Sequence, residues 1–402
     1  MSYIQTSEYI SVGHPDFLAD NIAAKLINEI YKQDGRAAHA AIECFIAGGQ
    51  TTHPVIHVGG EATTTIDLHS DQVTEWIRES VRKCGYDAKN QNKFGRDHVL
   101  TDTDYEVQVS VNRQSPDIAK GVGYDKGWND QGIYFGYADN SNSTKLGLAH
   151  AISKFIATKL FDHHKTHPSY GPDIKTLVSV KYKNEATPLY ITDITVAQSH
   201  APGISINDVR KEIKEKVSEW LNASEFAKYA AHSIKWVING TGRFVGHGSL
   251  SDSGMTGRKI IATGGGSGGY APHGGGSATK PHFASDKLLP LFARFLAGII
   301  VDAGLSDTCT ISLSGAIGQK NLQSIRIQGN RLRAGTIAKI KKFIAMEFPV
   351  ISPKSINDLF KTFELNNFDQ VIFDGLIGGN PHVQPWEDTK TYAKKLQTAV
   401  SK

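Results

Sequence analysis

Hydrophobic residues in this chain switch repeatedly between a period of two and a period near 3.6 residues, and that alternation limits the fold more than any other feature. Tyr105, Val107, Val109 and Val111 alternate as a half-buried strand does, as do Val178, Val180 and Tyr182, and Ile311 with Leu313. Helical spacing appears in Ile22, Leu26, Ile27 and Ile30, with Pro15 suited to a first turn and Gly35 to the end. Further helices are expected over residues 146–161 and 206–221, and a strongly apolar one through Leu288, Phe292, Phe295, Leu296, Ile299 and Ile300 before Gly304. Strands and helices in mixed order favour α/β or α+β layering over a bundle or an all-β sandwich. No internal repeat shows at the level of residues. Candidate breaks fall at residues 115–129, 162–172 and 264–276.

At roughly 150 residues per domain, a chain of this length makes two or three domains. With 40% hydrophobic and 21% charged residues among 402, the composition is that of a globular protein and argues against overall disorder. The three cysteines, Cys44, Cys84 and Cys309, are odd in number and far apart, so they offer neither a disulfide framework nor a CxxC metal site. A formal charge of +4 is too small to imply a nucleic-acid or membrane partner. No basic segment followed by an apolar run opens the chain, and no stretch approaches the roughly 20 apolar residues of a membrane span. The expectation is a soluble, unexported protein of a reducing cytoplasm.

Glycine is the one elevated count, 39 residues, and its clustering carries the chemistry. Thr241-Gly242-Arg243-Phe244 is followed by Asp252 to Lys259, then Gly264 to Tyr270, then His273 to Lys280. Glycines let backbone N–H groups approach an anion, and Arg258, Lys259 and Lys280 supply charge-assisted bonds, a mixture suited to phosphate oxygens. The spacing is not a Walker loop, and a flexible Gly/Ser linker is an equal reading of the glycine run alone. Gly13-His14-Pro15-Asp16 lies at a helix start, where His14 could donate to a phosphate and Asp16 could hold Mg²⁺. The same pair also reads as an ordinary polar residue beside a helix cap. Glu43 and Glu61 sit in β-type runs, as cation partners or as solvated edge positions. A polar loop from Gln114 toward Asp130 reads as a lid or as a plain connection. The histidines, including His163-His164, lack HExxH or CxxC…H spacing and read as surface or core residues. Aromatic residues are not interleaved with basic ones, so no nucleic-acid partner is expected.

Taken in order, these segments resemble S-adenosylmethionine synthetases. The matching stretches are Ser11 to Asp16 with Ala19-Asp20, Val58 to Thr63, Gln114 to Ile118, Asp130-Gln131-Gly132 with Phe135 to Ala138, Thr241 to Val245, Gly257 to Ile261, and His273 to Gly276, spanning residues 8 to about 318. The resemblance implies an α+β chain of three similar two-layer α/β domains about an approximate threefold axis, over residues 1–118, 127–242 and 243–402. It implies a homodimer, possibly paired further into a tetramer, with active sites between subunits. The implied reaction joins L-methionine and ATP by sulfur attack on the 5′ carbon, releasing S-adenosylmethionine, phosphate and pyrophosphate, with two Mg²⁺ ions per site and K⁺.

Carried over residue by residue, the resemblance places His14 near the departing oxygen, Asp16 and Asp286 on Mg²⁺, and Glu43 on K⁺. Lys175, Arg258, Lys259 and Lys280 would hold phosphates; Asp173, Arg243, Phe244, Asp252, Ser277 and Ile317 would complete the ATP site. Glu61, Gln114, Asp130 and Asp252 would meet methionine. The chain departs from the family pattern at Val12 and Phe17, where a carboxylate and a lysine are usual, and at Ala284, where a lysine is usual. Lys287, or a basic residue between Lys89 and Arg96, is the candidate replacement cation. A non-catalytic family member and an ATP-dependent phosphotransferase remain the alternative functions.

Overall fold

Among the described residues three sheets carry the chain, and none is built from one continuous stretch of sequence. The computed structural model describes residues 2–113, 123–263, 276–365 and 367–401. Strands β1 (Tyr3–Ile10), β2 (His39–Ala47), β3 (Val55–Thr63) and β4 (Glu106–Arg113) alternate with helices α1 (Pro15–Asp34) and α2 (Asp71–Lys83). Next come β5 (Gly132–Asp139), α3 (Leu148–Thr166), β6 (Tyr170–Asn184), β7 (Thr187–His200), α4 (Ile206–Asn222) and β8 (Lys235–Ile238). The last part holds β9 (Gly254–Met255), α5 (Ser285–Asp302), β10 (Thr308–Gly315), β11 (Ser324–Gly329) and α6 (Ala334–Glu347), followed by shorter helices.

The order strand, long helix, antiparallel hairpin, second helix thus occurs three times, a repeat invisible in the residues themselves. In each unit the first strand leaves its own hairpin and pairs antiparallel with the next unit's: β1 with β6, β5 with β10, and β9 with β2. The exchange closes in a cycle. After the second helix, β4 returns parallel to β3 and β8 parallel to β7, as a helical crossover requires. The long helices α1, α3 and α5 lie on the sheets, and residues such as Ile22, Ile152 and Phe292 share one continuous apolar core. The expected α+β class with three similar sheet-and-helix units is what the chain adopts.

Boundaries moved where burial outran periodicity. The helix expected over 146–161 runs to Thr166 because Phe161 and His164 extend its buried side, which shrinks the expected break at 162–172 to residues 167–169. The other two breaks lie largely outside the described residues. Gly136 of the Phe135 to Ala138 motif has a packing reason: a Cβ there would stand 2.1 Å from the Arg294 backbone nitrogen, so only glycine lets α5 lie this close to β5. Cys44, Cys84 and Cys309 are all buried free thiols. Among the described residues no helix is long and apolar enough to cross a membrane.

His150, buried on α3 with Ser7 Oγ 3.0 Å from Nδ1, has its pKa lowered to about 3, by burial first and then by Lys154 and Arg294. The unfolded chain takes this proton near pH 6.5, so stability is lost as pH falls from there toward the folded value. His150→Asn is expected to remove about 2 kcal/mol of the loss between pH 7 and pH 5. Urea titrations at the two pH values check it; parallel losses in both proteins would show that His150 is not a source of the acid sensitivity.

Candidate functional site

Strand exchange builds the site. Because β1 ends with Ile10 opposite Lys175 of β6, the segment after it leaves the sheet beside Asp173 and Lys175. Ser11 Oγ locks this junction, donating to Pro172 O at 2.5 Å and accepting from Ile174 N at 3.1 Å. His14 then caps α1, its Nδ1 accepting from Asp16 N at 3.2 Å, with Pro15 in the first turn. Nδ1 as acceptor leaves the imidazole proton on Nε2.

Asp16 and Asp20 lie one turn apart on α1 and bind the backbone of β9 and of the segment just after it. Oδ1 of Asp16 accepts from Met255 N and Oδ1 of Asp20 from Gly257 N, both at 2.9 Å. Gly254 permits the approach, since a Cβ there would lie 2.2 Å from Pro15 O. Lys259 Nζ reaches Oδ2 of the fully buried Asp16 at 2.6 Å, and Arg258 Nη1 stands 3.5 Å from its Oδ1. Thr256 donates its hydroxyl to Glu43 on β2 and its amide to Cys44 O at 3.1 Å. Lys175 pairs with Glu8 across the sheet at 2.8 Å.

Burial dominates the electrostatics. It pushes Asp20 up to about 7 against the pull of the Gly257 N–H, with the charges of Asp16 and Glu43 adding to the rise. Asp173 is likewise raised to about 7 by burial, with Asp252 and Asp16 adding, while Gly248 N donates to it at 3.0 Å. His14 moves the other way, to about 4, because burial, Lys259 and Lys175 disfavour its charged form more than Asp16 favours it. Near pH 7 it is a neutral donor among cations and carboxylates.

A second charged group forms around the start of α5. Burial raises the Asp286 pKa, Lys280 opposes the rise, Asp130 adds to it, and Tyr134 lowers it through a hydrogen bond. Ser277 Oγ donates to Asp286 O at 3.4 Å, and Asp130 accepts from Gln131 N at 2.8 Å. Arg243 donates to Pro202 O at 3.1 Å, while Phe244 N donates to His200 Nε2 at 3.1 Å. Glu61 sits on β3 between Ala41 and Asn112, and Ile317 is exposed after β10, bridged to Trp128.

The structure therefore gathers His14, Asp16, Glu43, Asp173, Lys175, Asp252, Arg258 and Lys259 into one group, and Asp130, Ser277, Lys280 and Asp286 into another. Gln114, His273 and the glycine run lie outside the described residues, as does the loop beginning at Gln114 up to residue 122. Sequence reading gave no role to Asp20, whose signal was its i,i+4 spacing from Asp16 in a largely apolar helix. Glu8, Thr256 and Tyr134 had no such signal.

The three departures are core residues: Val12, Phe17 and Ala284 are all buried. Of the candidate replacement cations, Lys287 does not serve. Lys287 is wholly buried, its Nζ 3.3 Å from His282 Nδ1 and 3.9 Å from the centre of the Phe368 ring, and burial pushes its pKa far down. Lys93 donates to the carbonyls of His164 and His167, and Arg96 pairs with Asp104, so the 89–96 segment is anchored by other contacts.

Fold and site together define a three-unit α+β protein that sets lysine and arginine against buried carboxylates where exchanged strands meet. Comparison with known proteins narrows this class. Models of the N-terminal, central and C-terminal domains of S-adenosylmethionine synthetase match residues 2–116, 125–244 and 246–388. An S-adenosylmethionine synthase of Acholeplasma laidlawii is 32% identical over 94% of this chain and 100% of its own, and one of Mesoplasma florum is 34% identical over 91% and 92%. A solved structure of an unusual S-adenosylmethionine synthetase from Campylobacter jejuni superposes with a TM-score of 0.86 at 27% identity, over 99% of this chain and 100% of that one. The chain belongs to the S-adenosylmethionine synthetase family.

Proposed function

We propose that this chain is a methionine adenosyltransferase that joins L-methionine to ATP, with sulfur attacking the 5′ carbon and triphosphate leaving to be hydrolysed to phosphate and pyrophosphate. One observation carries the reading: a neutral His14 held among Lys175, Arg258 and Lys259, over carboxylates whose charged form burial and neighbouring carboxylates disfavour. Thioether sulfur is uncharged and already nucleophilic, so no base is required. What the site supplies is alignment and stabilisation of charge on the leaving oxygen. His14 donates from Nε2 to that oxygen, while Lys175, Arg258, Lys259 and Lys280 neutralise the phosphates. Asp173, Arg243, Phe244, Asp252, Ser277 and Ile317 hold the nucleotide; Glu61, Gln114, Asp130 and Asp252 hold methionine.

The acidic donors suit hard cations. Asp16 and Asp286 offer only carboxylate oxygens, and the raised Asp286 lies beside Asp130, negative charge that a cation relieves. Two Mg²⁺ ions bound there would neutralise the triphosphate, and Glu43 offers a carboxylate to K⁺. The two residue groups are completed across a homodimer, each partner supplying one of them to the other's site. The protein works in the cytoplasm, where both substrates are found.

Asp16→Asn is expected to raise the Mg²⁺ concentration for half-activation by about tenfold or more, given that even outer partners of a metal cost that much. An unaltered metal titration would refute the assignment. The decisive assay mixes the protein with ATP, methionine, Mg²⁺ and K⁺ and identifies products by mass and phosphorus spectra. S-adenosylmethionine with phosphate and pyrophosphate is the expected result; ADP would make it a phosphotransferase, and no product a non-catalytic relative.

A further inference from the structure

His163, in the last turn of α3, and His167, the extended residue that caps its C-terminus, read from sequence as surface or core residues, and Glu212 of α4 comes up against both. Glu212 Oε1 lies 3.1 Å from His167 Nε2 and 3.7 Å from His163 Nε2. One ligand atom from each of the three falls within 4.8 Å of the others. Nε2 of His163 is buried and makes no hydrogen bond, a polar atom without a partner aimed into the cluster. Tyr170 donates its hydroxyl to the other carboxylate oxygen, Oε2, at 2.9 Å, and so orients Glu212. The side chains of His163, His167 and Glu212 are 16%, 26% and 31% exposed, buried enough to be ordered and open enough for an ion to enter.

We propose that His163, His167 and Glu212 form a binding site for one divalent transition-metal ion of zinc type, with the fourth position left to water. Ligands about 2.0–2.2 Å from a tetrahedral ion stand roughly 3.3–3.5 Å apart, a spacing that the two measured separations bracket. Two imidazoles select a borderline ion over Mg²⁺, so the site is chemically distinct from the carboxylate groups around Asp16 and Asp286. The Tyr170 hydroxyl is the outer partner that such a ligating carboxylate needs. Protons balance by a tautomer shift. His167 Nδ1 now accepts from Ser169 N at 3.2 Å, so its proton sits on Nε2. On binding, that proton moves to Nδ1, Nε2 takes the metal, and the Ser169 N–H gives up its acceptor. Tyr170 opens β6, the strand that bears Asp173 and Lys175, so the ion clamps α3 and α4 against the start of that strand.

The test uses full-length protein stripped with a chelator and saturated with Mg²⁺, titrated with Co²⁺ as a spectroscopic probe and with Zn²⁺. One equivalent of Co²⁺ is expected to give the intense visible bands of a tetrahedral site, displaced by Zn²⁺, and Zn²⁺ is expected to raise Tm. His167→Asn and the near-isosteric Glu212→Gln should each weaken Co²⁺ binding at least tenfold and abolish the Tm rise. Absence of the bands, or bands and Tm rise that survive in Glu212→Gln, overturns the site; that variant keeps the test open should His167→Asn fail to fold.

Discussion

Replacing Lys280 with alanine is expected to lower kcat for S-adenosylmethionine formation about 30- to 1,000-fold, the ~2 to 4 kcal/mol typical of one lost contact to developing negative charge. Lys280 lies just ahead of α5, and the next lysine along, Lys287, is sealed in the core; Phe17 and Ala284, where the family resemblance leads to an expectation of lysine, are buried apolar residues. On the proposed mechanism the remaining cations would then carry more of the charge on triphosphate. Lys280 also restrains the proton affinity of Asp286, which burial and Asp130 raise. Without it Asp286 holds a proton to higher pH, and the pH profile of the variant should shift upward on its acidic side. Lys280→Arg keeps the charge and should recover most of the rate. A kcat unchanged in Lys280→Ala would remove the residue from the site.

Arg294→Met is expected to cost about 3–5 kcal/mol of stability, the usual penalty for stranding one partner of a buried ion pair. Arg294 and Glu387 are 2% and 6% exposed, and the guanidinium makes five hydrogen bonds. Nε and Nη2 donate to the Glu387 oxygens at 3.1 and 2.9 Å, Nη1 to Tyr137 O and Lys145 O at 2.6 and 2.7 Å, and Nη2 to Thr144 O at 2.7 Å. Gly378 N donates to Glu387 Oε1 at 2.9 Å, so the cluster ties α5, the end of β5 and the C-terminal helices together. The double variant Arg294→Met/Glu387→Gln removes the unpaired charge and should regain part of the loss. Equal urea midpoints for wild type and Arg294→Met would show that the pair contributes nothing.

The start of α1 was legible because capping is local: His14, Pro15 and Asp16 carry the signal within three residues, although the cap is His14 rather than Asp16, which lies in the first turn. The strands around Val107, Val178 and Ile311 were legible for a similar reason, since alternation records which side of a strand is buried. Alternation does not record the neighbour. Nothing in Tyr3–Ile10 says that it pairs with β6 rather than with its own hairpin, and the threefold repeat of topology has no counterpart in residue identity. Asp20 and the His163, His167 pair had readable i,i+4 spacing, but their chemistry appears only when Gly257 N–H or Glu212 arrives from elsewhere in the chain. Val12, Phe17 and Ala284 were visible as departures; that they are packed apolar residues was not.

By itself the sequence determined the kinds of element, the family, and the charged residue types available to a phosphate-handling site. Only the tertiary structure decided which of them meet: Lys259 closes on Asp16 across 243 positions because β9 has been handed to the β2 sheet beside α1. Local propensities act over a turn or two of chain, whereas burial and charge pairing act through space, and only the folded path turns one into the other.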